Sequence, residues 1–342
     1  CYNLPVIEAV REAKAKALYL FPTKALTQDQ NSGLAGLLER SAGISLKSAI
    51  YDGDTTQSQR SSIRKNANII FSNPDMLHTG ILPHHTNWAD FFRNLRFVVI
   101  DEMHTYRGVF GSHVANVIRR LKRVARFYGA MPQFILTSAT IANPSELAAK
   151  LIEAPVTLVD QDGSARGERH FLIYNPPVID EALGLRKSAV QESVRLSQDL
   201  LEHHVQSVVF ARSRRSVELL LKYLQESGRA EPDDTSQTGR AAKVTAAGLR
   251  GYRSGYLPAE RREIEKGLRE GSVRLVVATN ALELGIDIGG LGAALLVGYP
   301  GTIASVTQQS GRAGRGDGRA SGRGVRGARR GAGGGRGSPV LR

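Results

Sequence analysis

Phe97-Val98-Val99-Ile100-Asp101-Glu102-Met103-His104 is the stretch on which the fold turns. A short apolar run, three of its four residues β-branched, leads straight into two carboxylates. Such a run, bounded by polar residues, reads as a strand buried on both faces. That is how strands of parallel sheets read, because helices cover both sides. Two acids following such a strand fall at the C-terminal edge of the sheet, where open α/β folds bind their ligands. Mg²⁺ takes oxygen ligands and keeps several waters and substrate phosphates, so Asp101 suits holding that metal through water. Glu102 beside it suits orienting or deprotonating a water for phosphoryl transfer. The same pair also fits a solvated acidic turn, so the neighbouring sequence has to decide.

Moving outward, Ala17–Phe21, Ser48–Tyr51, Asn68–Phe71 and Phe134–Leu136 are further short apolar runs, separated by helix-like stretches such as Leu26–Glu39 and Ser112–Tyr128. Cys1–Val10 reads as the inside of a helix. Strand–helix alternation predicts a parallel sheet flanked by helices. The pattern lapses through the polar segment Asp160–Arg169. It resumes with a helix at Ser188–Glu202 and strands at Ser207–Phe210, Arg274–Ala278 and Ala294–Val297, with a polar loop over Glu226–Ala241. A chain of 342 residues also agrees with two domains of about 150 residues each. The prediction is α/β: two tandem domains over 1–158 and 186–315, a linker over 159–185, and a tail over 316–342.

Composition narrows the function. Lys and Arg number 46 against 32 Asp and Glu, a net charge of +14, which favours a polyanionic partner, nucleic acid ahead of a membrane surface. Hydrophobic residues make up 41%, enough for ordinary cores and too many for a wholly disordered chain. No apolar run approaches the roughly 18 residues of a membrane-spanning helix, and a single Cys excludes a disulfide framework or a Cys-rich zinc site within this chain. The charge is uneven. Gly311–Arg342 holds 12 Gly, nine Arg and one acid, carrying +8 and leaving +6 for everything before it. A Gly/Arg stretch without apolar periodicity cannot bury a core. It is expected to be disordered, either as a nucleic-acid-binding RGG-like segment or as non-native sequence from a frameshift.

Two more clusters follow strands or helices in an informative order. Ser138-Ala139-Thr140 comes directly after the Phe134–Leu136 run, and Pro144-Ser145-Glu146 beyond it suits a helix start. Gln308-Gln309-Ser310-Gly311-Arg312-Ala313-Gly314-Arg315 sets two arginines three apart, on one side of a helical turn. Arg is suited to clamping phosphate oxygens bidentately.

Together these residues resemble a DExD/H-box helicase of superfamily 2. Pro22-Thr23-Lys24-Ala25-Leu26 is similar to motif Ia, Ser72-Asn73-Pro74-Asp75 to motif Ib, Asp101-Glu102-Met103-His104 to motif II and Ser138-Ala139-Thr140 to motif III. Val209-Phe210-Ala211-Arg212-Ser213 resembles motif IV, Ala278–Asp287 motif V and Gln308–Arg315 motif VI. Within Asp101–Arg120, His104–Asn116 resembles the bacterial MrfA/YprA-type DNA-repair helicases, and Tyr252–Glu265 and Tyr299–Ser305 agree. Lhr-type helicases, which share Leu282–Ile288, are the nearest alternative subgroup.

The resemblance implies two RecA-like domains with ATP between them and 3′-to-5′ movement along one DNA strand, single-stranded or partly duplex. It implies that Asp101 holds Mg²⁺ and that Glu102 is the general base. It gives His104, Ser138 and Thr140 the coupling of ATP site to nucleic-acid track. Gln308, Arg312 and Arg315 would reach the γ-phosphate from the second domain, and Gly285 and Asp287 would contact nucleotide across the cleft. Thr23, Lys24, Ser72, Arg212 and Thr279 become strand contacts. Plainer roles stand beside these: Lys24 as a surface charge, Asp75 as a helix cap, Trp88 as a packing anchor, His113 as packing or solvent-facing. Tyr106 and Arg107 either touch DNA or brace their loop. A bacterial or archaeal cytoplasmic location follows.

The chain departs from the family at both ends. No Gly-x-x-x-x-Gly-Lys-Ser/Thr occurs in it, and that loop is what cradles the phosphates. Motif I of the family lies just before the segment that here reads Cys1–Pro5, so the chain reads as a fragment expected to bind ATP very weakly and to hydrolyse it negligibly. After motif VI the family continues with an apolar strand and a Cys-bearing domain, where this chain has Gly and Arg. An RNA helicase, or a non-catalytic nucleic-acid-binding protein without a P-loop, are the competing readings.

Overall fold

The structure, a computed structural model, describes residues 2–13, 15–40, 46–139, 141–161, 163, 169–227, 248–283 and 291–314. The predicted tail therefore lies outside the described residues, as do most of the predicted 226–241 loop and much of 160–169.

The first domain runs α1 (Asn3–Ala13), β1 (Lys16–Leu20), α2 (Lys24–Arg40), β2 (Ser48–Ile50), α3 (Gln57–Asn66), β3 (Ile69–Ser72), then the short turns α4 (Pro74–Met76) and α5 (Ala89–Arg93). It continues with β4 (Leu95–Ile100), α6 (Gly108–Phe127), β5 (Gln133–Leu136) and α7 (Pro144–Ile152). The five strands form one parallel sheet in the order β2-β3-β1-β4-β5.

Alternation along each strand explains why the runs are wholly apolar. Leu18, Leu20, Ile70, Val98 and Ile100 enter one core with α6 residues Val114, Ile118 and Leu121. Ala17, Tyr19, Ile69, Phe71 and Val99 enter the opposite core with α1 residues Val6 and Val10 and α2 residues Leu26 and Leu34. Both faces are dry, so neither can carry polar side chains cheaply. Trp88 is a buried anchor, edge-on to Tyr51 and Phe91.

A two-stranded hairpin, β6 (Val178–Asp180) and β7 (Leu185–Arg186), precedes the second domain. That domain comprises α8 (Ala189–Glu202), β8 (Ser207–Phe210), α9 (Arg214–Ser227), β9 (Leu249–Tyr252), α10 (Pro258–Glu270), β10 (Leu275–Ala278), β11 (Ala293–Leu296) and α11 (Ile303–Ser310). Its parallel sheet has the order β11-β8-β10-β9. Val208, Phe210 and Val276 pack with α10 residues Ile264 and Leu268. Val209, Leu275 and Val277 pack with α8 and α9 through Leu201, Val217 and Leu220.

Among the strands, β9 and the β6–β7 hairpin were not foreseen. β9 contains Arg250 and Gly251, which break an apolar run. A Cβ at Gly251 would stand 2.8 Å from both Leu221 Cδ1 and Tyr256 Oη, so the glycine lets those side-chain tips close over the strand. The β6–β7 hairpin leaves Val178, Ile179 and Leu185 exposed, so burial supplies no period to read.

The two sheets set the site. In the first, the chain adds strands to one side of β1 and then crosses to place β4 on the other. That reversal opens a crevice beyond the strand C-termini, and Asp101 follows β4 there.

Candidate active site

Asp101 is tied to the edge of the first sheet by its backbone N–H, which donates to Leu20 O at 3.0 Å. Its Oδ1 accepts from Glu102 N at 2.9 Å and from the Thr137 hydroxyl. Its Oδ2 accepts from Tyr2 Oη at 3.4 Å. Burial first, and then the Asp101 charge, push the Tyr2 phenol well above its ordinary pKa, so it stays protonated and donates.

Glu102 takes φ 50° and ψ 44°, the left-handed region that side chains rarely occupy. The surrounding bonds compel it: its N–H is spent on Asp101, and its carbonyl accepts from Thr105 N at 3.0 Å and Thr105 Oγ1 at 2.8 Å. Strain of this kind persists where the neighbourhood over-determines it, and such positions cluster at functional sites.

His104 is buried and joins three motifs. Its Nδ1 lies 3.3 Å from Glu102 Oε2 and 3.4 Å from Ser138 Oγ, and its Nε2 meets the Gln308 side-chain amide of α11. Burial, then the nearby Arg107 charge, lower its pKa against an opposing pull from Asp101. A neutral ring is thereby favoured, with Nδ1–H donating toward Glu102 and Nε2 accepting from the Gln308 NH₂. This hydrogen bond crosses from the first domain to the second.

On the second domain, Gln309 donates to Glu283 Oε1, Ser305 Oγ donates to Glu283 Oε2 at 3.5 Å, and Arg312 Nη2 donates to Glu283 O. Gln309 and Arg312 are buried. Burial raises the Glu283 pKa against the pull of Gln309, Ser305, Arg312 and Arg107. Arg107 belongs to the first domain, so it adds charge across the cleft.

The predicted strand contacts lie along the C-terminal edges of the two sheets. Thr23 opens α2, accepting from Leu26 N at 3.3 Å. Lys24 is exposed and paired with exposed Asp54 at 2.7 Å, a hydrogen bond that raises the lysine pKa. Such a surface pair contributes little to stability and can exchange for a phosphate. Arg212, just beyond β8, is exposed. Thr279, just beyond β10, is buried and accepts from Ala281 N at 3.4 Å. Ser72 departs from the expectation of a side-chain contact. It is still inside the ladder, paired with Leu20, so its hydroxyl is fully buried and donates to Tyr51 O at 2.7 Å. Thr140, Gly285, Asp287 and Arg315 lie outside the described residues.

Among the plainer alternatives, Asn73 caps α4 by accepting from Met76 N at 2.8 Å, and Asp75 sits inside that turn. His113 is exposed and Tyr106 is buried. Two participants were missed in the sequence. Thr137 reaches Asp101 because β5 pairs with β4 in a register that sets Leu136 beside Ile100. Glu283 lies within motif V but was given no role there, and the packing of α11 supplies one.

A DEAD/DEAH box helicase family model matches residues 1–147, and a helicase conserved C-terminal domain matches residues 192–317. The matches meet the acidic turn on one side and the arginine turn on the other. The chain belongs to the superfamily 2 helicases of the MrfA/YprA type. It is 54% identical over 316 residues to the ATP-dependent helicase YprA of Bacillus subtilis, covering 92% of this chain and 40% of that protein. It is 42% identical over 321 residues to ATP-dependent helicase HRQ1 of Saccharomyces cerevisiae, covering 92% of this chain and 29% of that one. The crystal structure of DUF1998 helicase MrfA bound to DNA and AMPPNP superposes with TM-score 0.85 at 53% identity, covering 92% of this chain and 42% of that one. The chain thus spans well under half the length of these helicase relatives. Its two sheets are the two tandem RecA-like domains of this helicase fold, and among the described residues no helix is long and apolar enough to cross a membrane.

Proposed function

We propose that this chain is the two-domain motor of an ATP-dependent DNA helicase, coupling ATP hydrolysis to 3′-to-5′ movement on single-stranded or partly duplex DNA in repair. The observation that carries this reading is the His104–Gln308 hydrogen bond, which joins the acidic turn of one domain to the arginine turn of the other. DNA is favoured over RNA because the MrfA structure, at 53% identity, is of a DNA complex. The working boundaries are 1–158 and 186–315 for the two domains, with 159–185 between them. The likeness to the Bacillus subtilis helicase supports a location in the cytoplasm of a bacterial or archaeal cell.

Asp101 fits Mg²⁺. Its carboxylate stands at the sheet edge, oriented by Thr137 and by a backbone N–H, and the remaining coordination would come from waters and phosphates. Bound there, the ion would neutralise phosphate charge. Glu102, its backbone fixed, orients and deprotonates the attacking water. Neutral His104 holds the Glu102 carboxylate in place through Nδ1 and senses the second domain through Nε2. Arg312, lodged against Glu283, keeps the second domain's cationic turn ordered, with Arg315 beyond it as the γ-phosphate finger. Exposed Lys24 and Arg212 take strand phosphates, one per domain. The 342 residues include no Gly-Lys-Ser/Thr loop, and we infer that this polypeptide alone hydrolyses ATP negligibly.

Unwinding of matched DNA and RNA duplexes, each with a 3′ or a 5′ single-stranded tail, tests the proposal. The 3′-tailed DNA should be unwound with ATP. Preference for RNA, or for 5′ tails, would overturn the substrate or the polarity.

A further inference from the structure

Immediately after the Glu102–His104 turn, the chain builds a step more rigid than a surface loop requires. Tyr106 is fully buried, and its ring packs on Phe110 at 5.6 Å with a 46° tilt. Gly108 takes φ +60°, which admits the sharp entry into α6. Gly111 is pressed against Tyr106, and a Cβ at that position would stand 2.5 Å from the Tyr106 carbonyl oxygen. Gly111 N donates to Arg107 O at 3.1 Å and closes the turn. The outcome leaves Val109 77% exposed and Phe110 43% exposed, with exposed Arg107 at their side.

The position of the step identifies what it faces. Tyr106, its floor, is within electrostatic reach of Asp75, in the turn that follows β3. Arg107 acts on Glu283, in the turn that follows β10 of the other domain. Residues 106–110 therefore stand near both the first domain's β3 turn and the β10 turn of the second domain.

An isolated exposed aromatic is ordinary. An exposed aromatic held by two glycines beside the acidic turn, with an exposed arginine next to it, has the make-up of a nucleic-acid platform: a π-face for any base and a cation for the adjoining phosphate. We propose that Phe110 stacks under a base of the bound single strand and that Arg107 takes a neighbouring phosphate, with Val109 widening the apolar contact. This rests on the nucleic-acid reading above and extends the track to residues outside the helicase motifs.

The test is binding of fluorescently labelled oligo-dT to the full-length protein without nucleotide, so that hydrolysis plays no part. Phe110→Ala should weaken binding on the order of ten-fold. Arg107→Ala should weaken it and lower the salt dependence by about one phosphate contact. Phe110→Trp should bind like wild type, and its added emission should be quenched when oligo-dT is bound. Phe127→Ala is the control. Phe127 lies on the same helix, about 25 Å away by helical rise, and is 76% exposed, so its loss should leave binding unchanged. Wild-type affinity in Phe110→Ala together with unquenched emission in Phe110→Trp would overturn the proposal, including the case in which another segment of the longer protein covers the step. Failure of the wild type to bind oligo-dT would overturn the nucleic-acid reading itself.

Discussion

The acidic turn of the first domain and the arginine turn of the second face one cleft, yet they are held in place by different means. Glu102 is positioned by backbone, in a left-handed conformation locked by Asp101 and Thr105. Glu283 and Arg312 are positioned by burial and by each other, with Gln309 and Ser305 completing the set. The first arrangement presents the Glu102 carboxylate from a locked backbone at the edge of the sheet. The second makes the cationic turn part of the second domain's packing. Changes in the first region should therefore alter chemistry with little effect on stability, and changes in the second should alter stability first.

Glu102→Gln breaks the comparison most severely if the comparison is wrong. In the longer protein, kcat for ATP hydrolysis should fall by about 10²- to 10⁴-fold, the usual contribution of general-base catalysis. Thermal stability and DNA affinity should stay near wild type. A variant that melts early but still hydrolyses ATP would reverse the assignment of the two regions.

Glu283→Ala is the counterpart. It strands Gln309 and leaves the buried Arg312 without the carboxylate beside it, at a cost of about 1–3 kcal/mol. Calorimetry should show the second domain melting several degrees lower, while Glu283→Gln should recover part of the loss. An unchanged melting temperature would show that the turn is not held by burial.

The link between the regions is next in size. His104→Ala and Gln308→Ala should each reduce DNA-stimulated hydrolysis about ten-fold. Because the two side chains share one hydrogen bond, the double variant should be little worse than either single one, a coupling of about 0.5–3 kcal/mol. Simple additivity would mean that the contact does not join the domains functionally.

The smallest expected effect is with pH. Burial lowers the folded pKa of His104 below the ordinary 6.5. The unfolded chain therefore takes up a proton first as pH falls. Stability is full above about 6.5 and is lost progressively as pH drops from there through the depressed folded value. Comparing urea midpoints of wild type and His104→Gln at pH 7.5 and 5.5 isolates the effect, and equal shifts in both proteins would contradict it.

What could be read in the sequence follows the same division. Strands such as Phe97–Ile100 and Ser207–Phe210 were legible because burial on both faces forces a continuous apolar run. Leu249–Tyr252 was not, because Arg250 and Gly251, the latter under the side-chain tips of Leu221 and Tyr256, interrupt its apolar run. Asp101 and Glu102 were legible because they directly follow such a run. Thr137 acts through strand register, which leaves no local pattern, and the role of Glu283, though it lies within motif V, comes from helix packing with distant residues. Ser72 was read as a strand contact, but its hydroxyl is buried against the neighbouring strand, on Tyr51 O, which no local pattern announces.

The most direct test of the account is ATP hydrolysis by the full-length protein, measured with and without single-stranded DNA. A motor whose acidic and arginine turns are joined through His104 and Gln308 should hydrolyse ATP slowly alone and at least several-fold faster with DNA. Hydrolysis that is absent, or that proceeds at the same rate without DNA, would contradict it.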